Sequence, residues 1–139
     1  MTDPRTIIDR YIAAVSAKDA EALLALYSPD ARLFDMMIPW QHTSKDSYSG
    51  LIDLWFQEAT IQPVITDVSV HQNDAFALIT AMLDFEDASA DEPDLAPQRL
   101  TWVLVQSGDD WLILHEHNSV PLNNGATAPA KRAEAISAE

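Results

Sequence analysis

The sequence predicts one α+β domain in which helices pack on one face of a curved antiparallel sheet. The chain has 139 residues, which matches the usual size of a single domain. Apolar residues recur at three- and four-residue spacing in the N-terminal part, whereas strand-forming residues and turn-type separators dominate after Pro63. Helices followed by a meander of strands are typical of the α+β class.

Three helices are predicted in the N-terminal part. The first begins near Pro4, which suits the first helical turn, and carries an apolar stripe. The second begins at Asp19, whose carboxylate can cap free backbone amides, and ends near residues 28–29. The third is capped by Ser44 and runs through Phe56.

Five strands are predicted around these helices. A short strand over residues 31–34 and a loop over 36–43 separate the second helix from the third. Hairpin turns at 73–74 and 108–110 help to delimit four later strands, over residues 64–72, 75–86, 99–107 and 111–119. The acidic segment 87–97 is predicted to be a loop. One domain is expected over residues 1–122, followed by a flexible tail or weak helix over 123–139.

Composition excludes several classes of function. Eight Lys and Arg against 22 Asp and Glu give a net charge of −14, and the few cations are scattered, which disfavours nucleic-acid and membrane partners. The absence of cysteine removes disulfides, thiolate metal sites and a Cys nucleophile. The three glycines lie too far apart for a phosphate-binding loop. No apolar run approaches a membrane span or signal peptide, so a cytoplasmic protein is predicted. No cofactor is predicted.

Two stretches carry a resemblance to known families. The stretch from Arg10 to Asp35, which includes Tyr27-Ser28-Pro29-Asp30-Ala31, resembles the opening of the bacterial ketosteroid isomerases in the nuclear transport factor 2-like, or SnoaL-like, superfamily. The run from Arg99 to Ser119 is similar to the last two strands of the calcium/calmodulin-dependent kinase association domain. The resemblance implies a cone, in which three N-terminal helices close a strongly bent sheet around an apolar cavity. It also implies a homodimer formed through the other face of the sheet.

Asp35 is the first candidate catalytic residue. It lies between Leu33-Phe34 and Met36-Met37, so burial should raise its pKa towards the range useful for proton transfer near neutrality. The resemblance places Asp35 on the catalytic base of the isomerases and Tyr11 on the tyrosine that donates to the developing oxyanion. The alternatives are a loop-capping aspartate and an ordinary core tyrosine.

The last two strands supply further candidates for substrate binding. The resemblance puts Thr101 where the isomerases have a protonated aspartate, and a threonine donates a weaker hydrogen bond, which favours a different carbonyl or enol substrate. Plain alternation places Leu114, Glu116 and Asn118 on one face of the final strand, and the resemblance assigns that face to the cavity. Glu116 would then be a second acid near Asp35, the alternative being an ion-pair or rim residue.

Other candidates depend more heavily on the resemblance. Trp40 and His42 are predicted at the entrance of the cavity, with an ordinary surface loop as the alternative. His115 and His117 point the same way on a strand, which suits either a metal or hydrogen bonds at a sheet face, but no spacing identifies a third ligand and no metal is predicted. The register that the resemblance implies for the strand over 75–86 sends Leu78, Thr80, Met82 and Asp84 inward, the first three as cavity wall and Asp84 near the rim.

These residues together predict a small-molecule pocket protein. The leading prediction is a cofactor-free enzyme of the isomerase or cyclase type, which moves a proton on an apolar, carbonyl-containing substrate with Asp35 as general base. The alternative is a non-catalytic ligand-binding or dimerisation module of the same fold.

Overall fold

A computed structural model describes residues 2–37, 39–58, 61–87 and 97–122 of the chain. The helices are α1 (Thr6–Ser16), α2 (Ala20–Leu24) and α3 (Lys45–Glu58). The strands are β1 (Tyr27–Phe34), β2 (Ile61–Gln72), β3 (Phe76–Asp87), β4 (Gln98–Ser107) and β5 (Asp110–Ser119). The predicted helix-then-meander order is therefore confirmed, with β1 between α2 and α3. The predicted tail and most of the predicted acidic loop lie outside the described residues.

The second helix is shorter than predicted. Asp19 caps it as expected, since the carboxylate accepts a hydrogen bond from the Ala22 amide at 3.0 Å. The helix nevertheless ends at Leu24, because the next residues pair with β5, and the Ile113 amide donates to the Leu26 carbonyl at 2.8 Å. Tyr27, predicted at the end of a helix, is therefore the first residue of a strand.

The sheet has the strand order β1-β5-β4-β3-β2 and does not close into a barrel. β1 is parallel to β5, and the remaining neighbours are antiparallel. Pro29 sits in the edge strand β1, in the stretch where the register shifts, which is where a strand tolerates a residue that cannot donate a hydrogen bond. The curved sheet with its helices confirms the predicted α+β cone.

The core lies between the helices and the concave face of the sheet. β3 and β4 contribute alternate residues to this face, and Ile7 and Val15 of α1 and Ile52 of α3 are completely buried in the same cluster. The inward residues of the two strands are Ala77, Ile79, Ala81, Leu83, Leu100, Trp102 and Leu104.

The predicted register of β3 is wrong. Leu78, Thr80 and Met82 alternate with the buried residues and therefore lie on the convex face, where Leu78 is 39% exposed. The two faces of this strand are similarly apolar in sequence, so alternation alone does not orient it. Burial of the large Trp102, which pairs with Ile79, decides the register. These three residues do not line an interior cavity.

A β-bulge interrupts the alternation of β5. Leu104 of β4 pairs with Ile113, but the preceding residue of β4, Val103, pairs with His115, so Leu114 is an extra residue. Trp111 and Ile113 point inward before the bulge, and Glu116 and Asn118 point inward after it. The prediction for Leu114 is therefore wrong, while Glu116 and Asn118 do face the interior.

None of the helices in the described part of the chain is long and apolar enough to cross a lipid bilayer.

Candidate active site

Glu116 is a carboxyl group buried at the centre of the fold. Its side chain is 3% exposed, and Oε1 accepts hydrogen bonds from the Tyr27 hydroxyl at 2.7 Å and from the Trp102 indole N–H at 2.6 Å. Burial, together with the negative charge of Asp35, raises the pKa of Glu116 to about 7. The two hydrogen bonds act in the opposite direction, because they favour the ionised form. Glu116 is thus poised to hold or release a proton near neutrality.

Three buried tyrosines surround this acid. Tyr11 meets the ring of Trp102 edge-on at 5.3 Å, and Tyr27 meets Tyr48 at 5.4 Å. Burial and the charge of Glu116 raise the pKa of all three hydroxyls well above the ordinary value, so the tyrosines stay protonated and can donate hydrogen bonds. All three are buried in the interior that the resemblance assigns to a cavity.

Asp35 lies at the edge of this interior, directly after β1. Leu33 is opposite Glu116 in the parallel register and Phe34 is opposite His117, and Asp35 is the residue that follows this last pair. Burial raises the pKa of Asp35, while the amides of Met37 and Met36 and the nearby His42 lower it. The carboxylate Oδ2 accepts the Met37 amide at 3.1 Å, so Asp35 also caps its own loop.

A concavity of about 480 Å³ opens to solvent beside Asp35. Its walls are mainly apolar and aromatic, with a single acid and a single histidine, as is usual for small-molecule sites. Trp40 is 94% exposed at this concavity, which places it where the entrance was predicted. The lining residues are Phe34, Asp35, Met36, Met37, Pro39, Trp40 and His117.

His42 is buried and does not lie at the entrance, so that prediction is wrong. Its backbone forms two hydrogen bonds of 2.9 Å with Leu33, which draws the residue under the end of β1 and leaves it 2% exposed. The ring meets Tyr48 edge-on at 5.4 Å, and Nδ1 is 3.0 Å from the Ser47 hydroxyl. His42 therefore belongs to the interior polar cluster.

Thr101 lies on the face of the sheet opposite this cluster. It pairs with Thr80 and His117, while its neighbours Leu100 and Trp102 point inward. The predicted second oxyanion donor is therefore not available from Thr101. The inward position is occupied instead by Trp102, whose N–H already binds Glu116.

His115 and His117 lie outside the interior, against Phe34. Their rings meet Phe34 edge-on at 4.9 and 5.4 Å, and His115 Nδ1 is 2.7 Å from the Arg32 carbonyl. Over the residues that the structure describes, no three metal-binding side chains come together. These contacts support the sheet-face interpretation of the pair.

Sequence reasoning missed three members of the site, namely Tyr27, Tyr48 and Trp102. Tyr27 was assigned to a helix, and the other two are spaced like ordinary core residues. The available signal was the assignment of Glu116 to the interior, because a buried carboxyl requires donors.

Trp102→Phe tests whether the indole N–H stabilises the charge on Glu116. We expect the variant to lose about 1–2 kcal/mol of unfolding free energy at pH 8 and less at pH 5.5, because the bond strengthens as Glu116 ionises. Guanidinium unfolding at the two pH values measures this. The control is Trp111→Phe, since Trp111 is equally buried but donates to the neutral Thr2 carbonyl at 2.8 Å. An equal, pH-independent loss in both variants would contradict the prediction.

The curved sheet, the helices and the interior acids define a cone-shaped α+β protein with a polar cluster inside and a concavity at one end. The chain belongs to the SnoaL-like domain family, whose model matches residues 5–123. No curated protein sequence matches the chain.

Solved structures with the same fold include proteins of differing assignment. An NTF2-like protein of unknown function from Pseudomonas putida KT2440 has 22% identity and a TM-score of 0.82, covering 91% of this chain and 90% of that one. A candidate calcium/calmodulin-dependent protein kinase II association domain from Xanthomonas campestris has 19% identity and a TM-score of 0.74, covering 86% of each chain. A candidate NTF2-like dehydratase from Streptomyces avermitilis has 18% identity and a TM-score of 0.73, covering 85% and 93%. These similarities establish the fold.

Proposed function

We propose that this chain is a cofactor-free enzyme that moves a proton on a small, apolar, carbonyl-containing molecule. The observation that carries the proposal is a pair of charge-coupled carboxyls, Asp35 and Glu116, both with raised pKa and one of them lining an apolar concavity. Pairs of acids whose environments differ are typical of acid-base sites.

Asp35 is the proposed base. Its carboxylate lines the concavity, so it can contact a bound ligand, whereas Glu116 is enclosed by Tyr27 and Trp102. The base removes a proton from the carbon next to the carbonyl, the electron pair moves to the carbonyl oxygen as an enolate, and the proton returns to carbon to give the product. The raised pKa of Asp35 makes its carboxylate a stronger base than an exposed aspartate.

Glu116 sets the charge of the site. In its neutral form it adds no negative charge next to Asp35 or to the developing enolate. Once ionised, Glu116 repels the negative charge of Asp35 and that of the developing enolate, because the charges of the two carboxyl groups interact. The reaction therefore requires Asp35 ionised and Glu116 protonated.

The concavity sets the class of ligand. Phe34, Met36, Met37 and Trp40 offer aromatic and thioether surfaces, which pack against flat apolar molecules. Trp40 is strongly exposed, so a bound ligand would cover part of its apolar surface. Removing this surface from water contributes to the affinity. The resemblance to isomerases and the similarity to a candidate dehydratase agree with proton transfer next to a carbonyl.

The test is deuterium exchange at C2 of 1-tetralone in D2O, followed by NMR. We expect exchange to saturate with ketone concentration and to follow a bell-shaped pH profile. The rate should rise as Asp35 ionises and fall through about pH 7 as Glu116 ionises. Exchange no faster than in acetate buffer at the same carboxylate concentration would reject the function. Saturable binding without exchange would favour the ligand-binding alternative.

A further inference from the structure

The concavity beside Asp35 lies on the outer side of the sheet. In the parallel pairing of β1 with β5, Leu33 and Glu116 form one pair, and both are buried in the interior. The next pair, Phe34 and His117, points the other way, because successive side chains of a strand alternate between the two faces. Both members of this second pair line the concavity. A ligand bound there therefore contacts outward side chains.

The proposed reaction requires a hydrogen-bond donor in this concavity. When Asp35 removes a proton, negative charge develops on the carbonyl oxygen, and a donor aimed at this oxygen stabilises the charge. Tyr11, the donor that the resemblance implies, is buried inside the cone and does not line the concavity. Among the described residues that line it, only Trp40 and His117 have a side-chain N–H group that can donate.

His117 is held by its neighbours, whereas Trp40 has little support. The ring of His117 packs edge-on against Phe34, with 5.4 Å between the ring centroids, and its backbone lies between β1 and β4. Trp40 is almost fully exposed, so little of its ring contacts the protein. A donor that is fixed before the substrate binds stabilises charge more effectively than one that must first be ordered. His117 is therefore the better placed of the two donors.

The ring nitrogens of His117 are also free to bind a ligand. They form no hydrogen bond within residues 2–37, 39–58, 61–87 and 97–122. The neighbouring His115 differs, because its Nδ1 atom is 2.7 Å from the Arg32 carbonyl and the residue does not line the concavity. A neutral imidazole carries one N–H group and one acceptor nitrogen, so His117 can present a donor to a ligand.

We propose that His117 donates a hydrogen bond to the carbonyl oxygen of the substrate and stabilises the negative charge that develops there. This inference rests on the proposed function, because it concerns the same site. Asp35 takes the proton from the carbon next to the carbonyl, the C–H electron pair moves towards the oxygen, and the His117 N–H group keeps its own proton. Asp35 then returns its proton to carbon. His117 thus supplies the role that Thr101 does not fill.

The positions of the two groups define the class of substrate. Asp35 directly follows Phe34, which is paired with His117, and paired strands lie about 5 Å apart. One ligand in the concavity can therefore contact both side chains. It must present its carbonyl oxygen and the neighbouring C–H group along one edge, as an aryl ketone such as 1-tetralone does. Its flat ring then lies against the aromatic and thioether walls.

The first experiment compares the binding of tetralin and 1-tetralone, which differ by one carbonyl group. A carbonyl oxygen can only accept a hydrogen bond, so a gain in affinity reports a donor in the site. We expect 1-tetralone to bind the wild-type chain about fivefold to tenfold more tightly than tetralin. His117→Phe keeps a ring beside Phe34 and should abolish this gain, whereas Trp40→Phe should keep it. Titration calorimetry measures both affinities.

His115→Phe is the matched control for the binding experiment. It makes the same change at the other imidazole that packs against Phe34, without altering the concavity, so the gain from the carbonyl should persist. His117→Gln should retain part of the gain, because its side-chain amide can still donate. A gain that persists in His117→Phe, or one that is lost equally in His115→Phe, would overturn the proposal.

The second experiment measures deuterium exchange on 1-tetralone. Loss of an interaction that strengthens as charge develops lowers kcat more than it raises KM. We therefore expect His117→Phe to lower kcat about 100-fold or more, with an intermediate value for His117→Gln. KM should rise about fivefold to tenfold, in line with the lost gain in affinity. A change in KM at unchanged kcat would show that His117 does not stabilise the enolate, and the proposal would fail.

The outcomes separate this inference from the proposed function. If Asp35→Asn abolishes exchange while His117→Phe changes neither the carbonyl gain nor kcat, the proposed function stands and the role of His117 fails. If the carbonyl gain depends on His117 while Asp35→Asn still exchanges protons at the wild-type rate, His117 stands as the carbonyl donor and the role of Asp35 as base fails.

Discussion

Replacing Asp35 with asparagine should slow proton exchange on 1-tetralone about 100-fold or more, because a positioned general base contributes about 10²–10⁴-fold to such a step. Asparagine has nearly the same shape, and its carbonyl oxygen can still accept the Met37 amide, so the loop and fold should persist. Deuterium exchange by NMR measures the rate, and circular dichroism checks the fold. Affinity for 1-tetralone should change little, since the apolar walls are untouched.

Asp30→Asn is the matched control for this prediction. Asp30 is an exposed acid on β1, the strand that leads to Asp35. Its replacement makes the same change of charge without altering the concavity, so exchange should remain at the wild-type rate. If the Asp35 variant retained more than about one third of the wild-type rate, Asp35 would not be the base, because removal of a general base costs at least about 100-fold.

Glu116→Gln should stabilise the chain by about 2–3 kcal/mol at pH 8 and change its stability little near pH 4.5. The folded chain keeps the Glu116 proton up to about pH 7, whereas in the unfolded chain the group has its ordinary pKa of 4.5. Folding stability therefore falls as pH rises from 4.5 to 7, and the loss persists above this range. Glutamine cannot ionise, and its carbonyl oxygen can still accept hydrogen bonds from Tyr27 and Trp102.

Guanidinium unfolding at pH 4.5 and pH 8 measures this effect. Asp110→Asn supplies a contrast of opposite sign, because its hydrogen bond with Arg10 holds the pKa of Asp110 below the ordinary value. That variant should lose a little stability at pH 8 and none at low pH. A Glu116→Gln variant that is equally stable relative to wild type at both pH values would show that Glu116 is not a raised-pKa acid. The same variant should lose the alkaline limb of the exchange profile.

The class of fold and most elements could be predicted from the sequence. Helix α1 and the β4–β5 hairpin follow local periodicity and turn residues, which depend on near neighbours only. The end of α2 could not be predicted in the same way, because Tyr27 leaves the helical pattern to pair with Ile113, more than eighty residues away. Long-range pairing of this kind overrides local propensity.

The site was predicted less completely than the fold. Asp35 stood out as an acid in apolar surroundings, and Glu116 because the resemblance assigns its face of the final strand to the interior; Glu116 is buried and Asp35 is half-buried. Thr101 and Leu78 were misplaced, because which face of a strand points inward depends on neighbouring strands. His42 was misplaced for a related reason, since its burial results from an isolated backbone bridge to Leu33 that leaves no sequence signal.

The extra residue Leu114 divides β5 into two segments with opposite phase. Before it, Trp111 and Ile113 anchor the strand in the apolar core, and after it, Glu116 and Asn118 bring polar side chains into the same interior. The chemistry of the second segment can consequently be redesigned without disturbing the anchor provided by the first. This separation makes the C-terminal half of the strand a natural position for engineering new specificities into the scaffold.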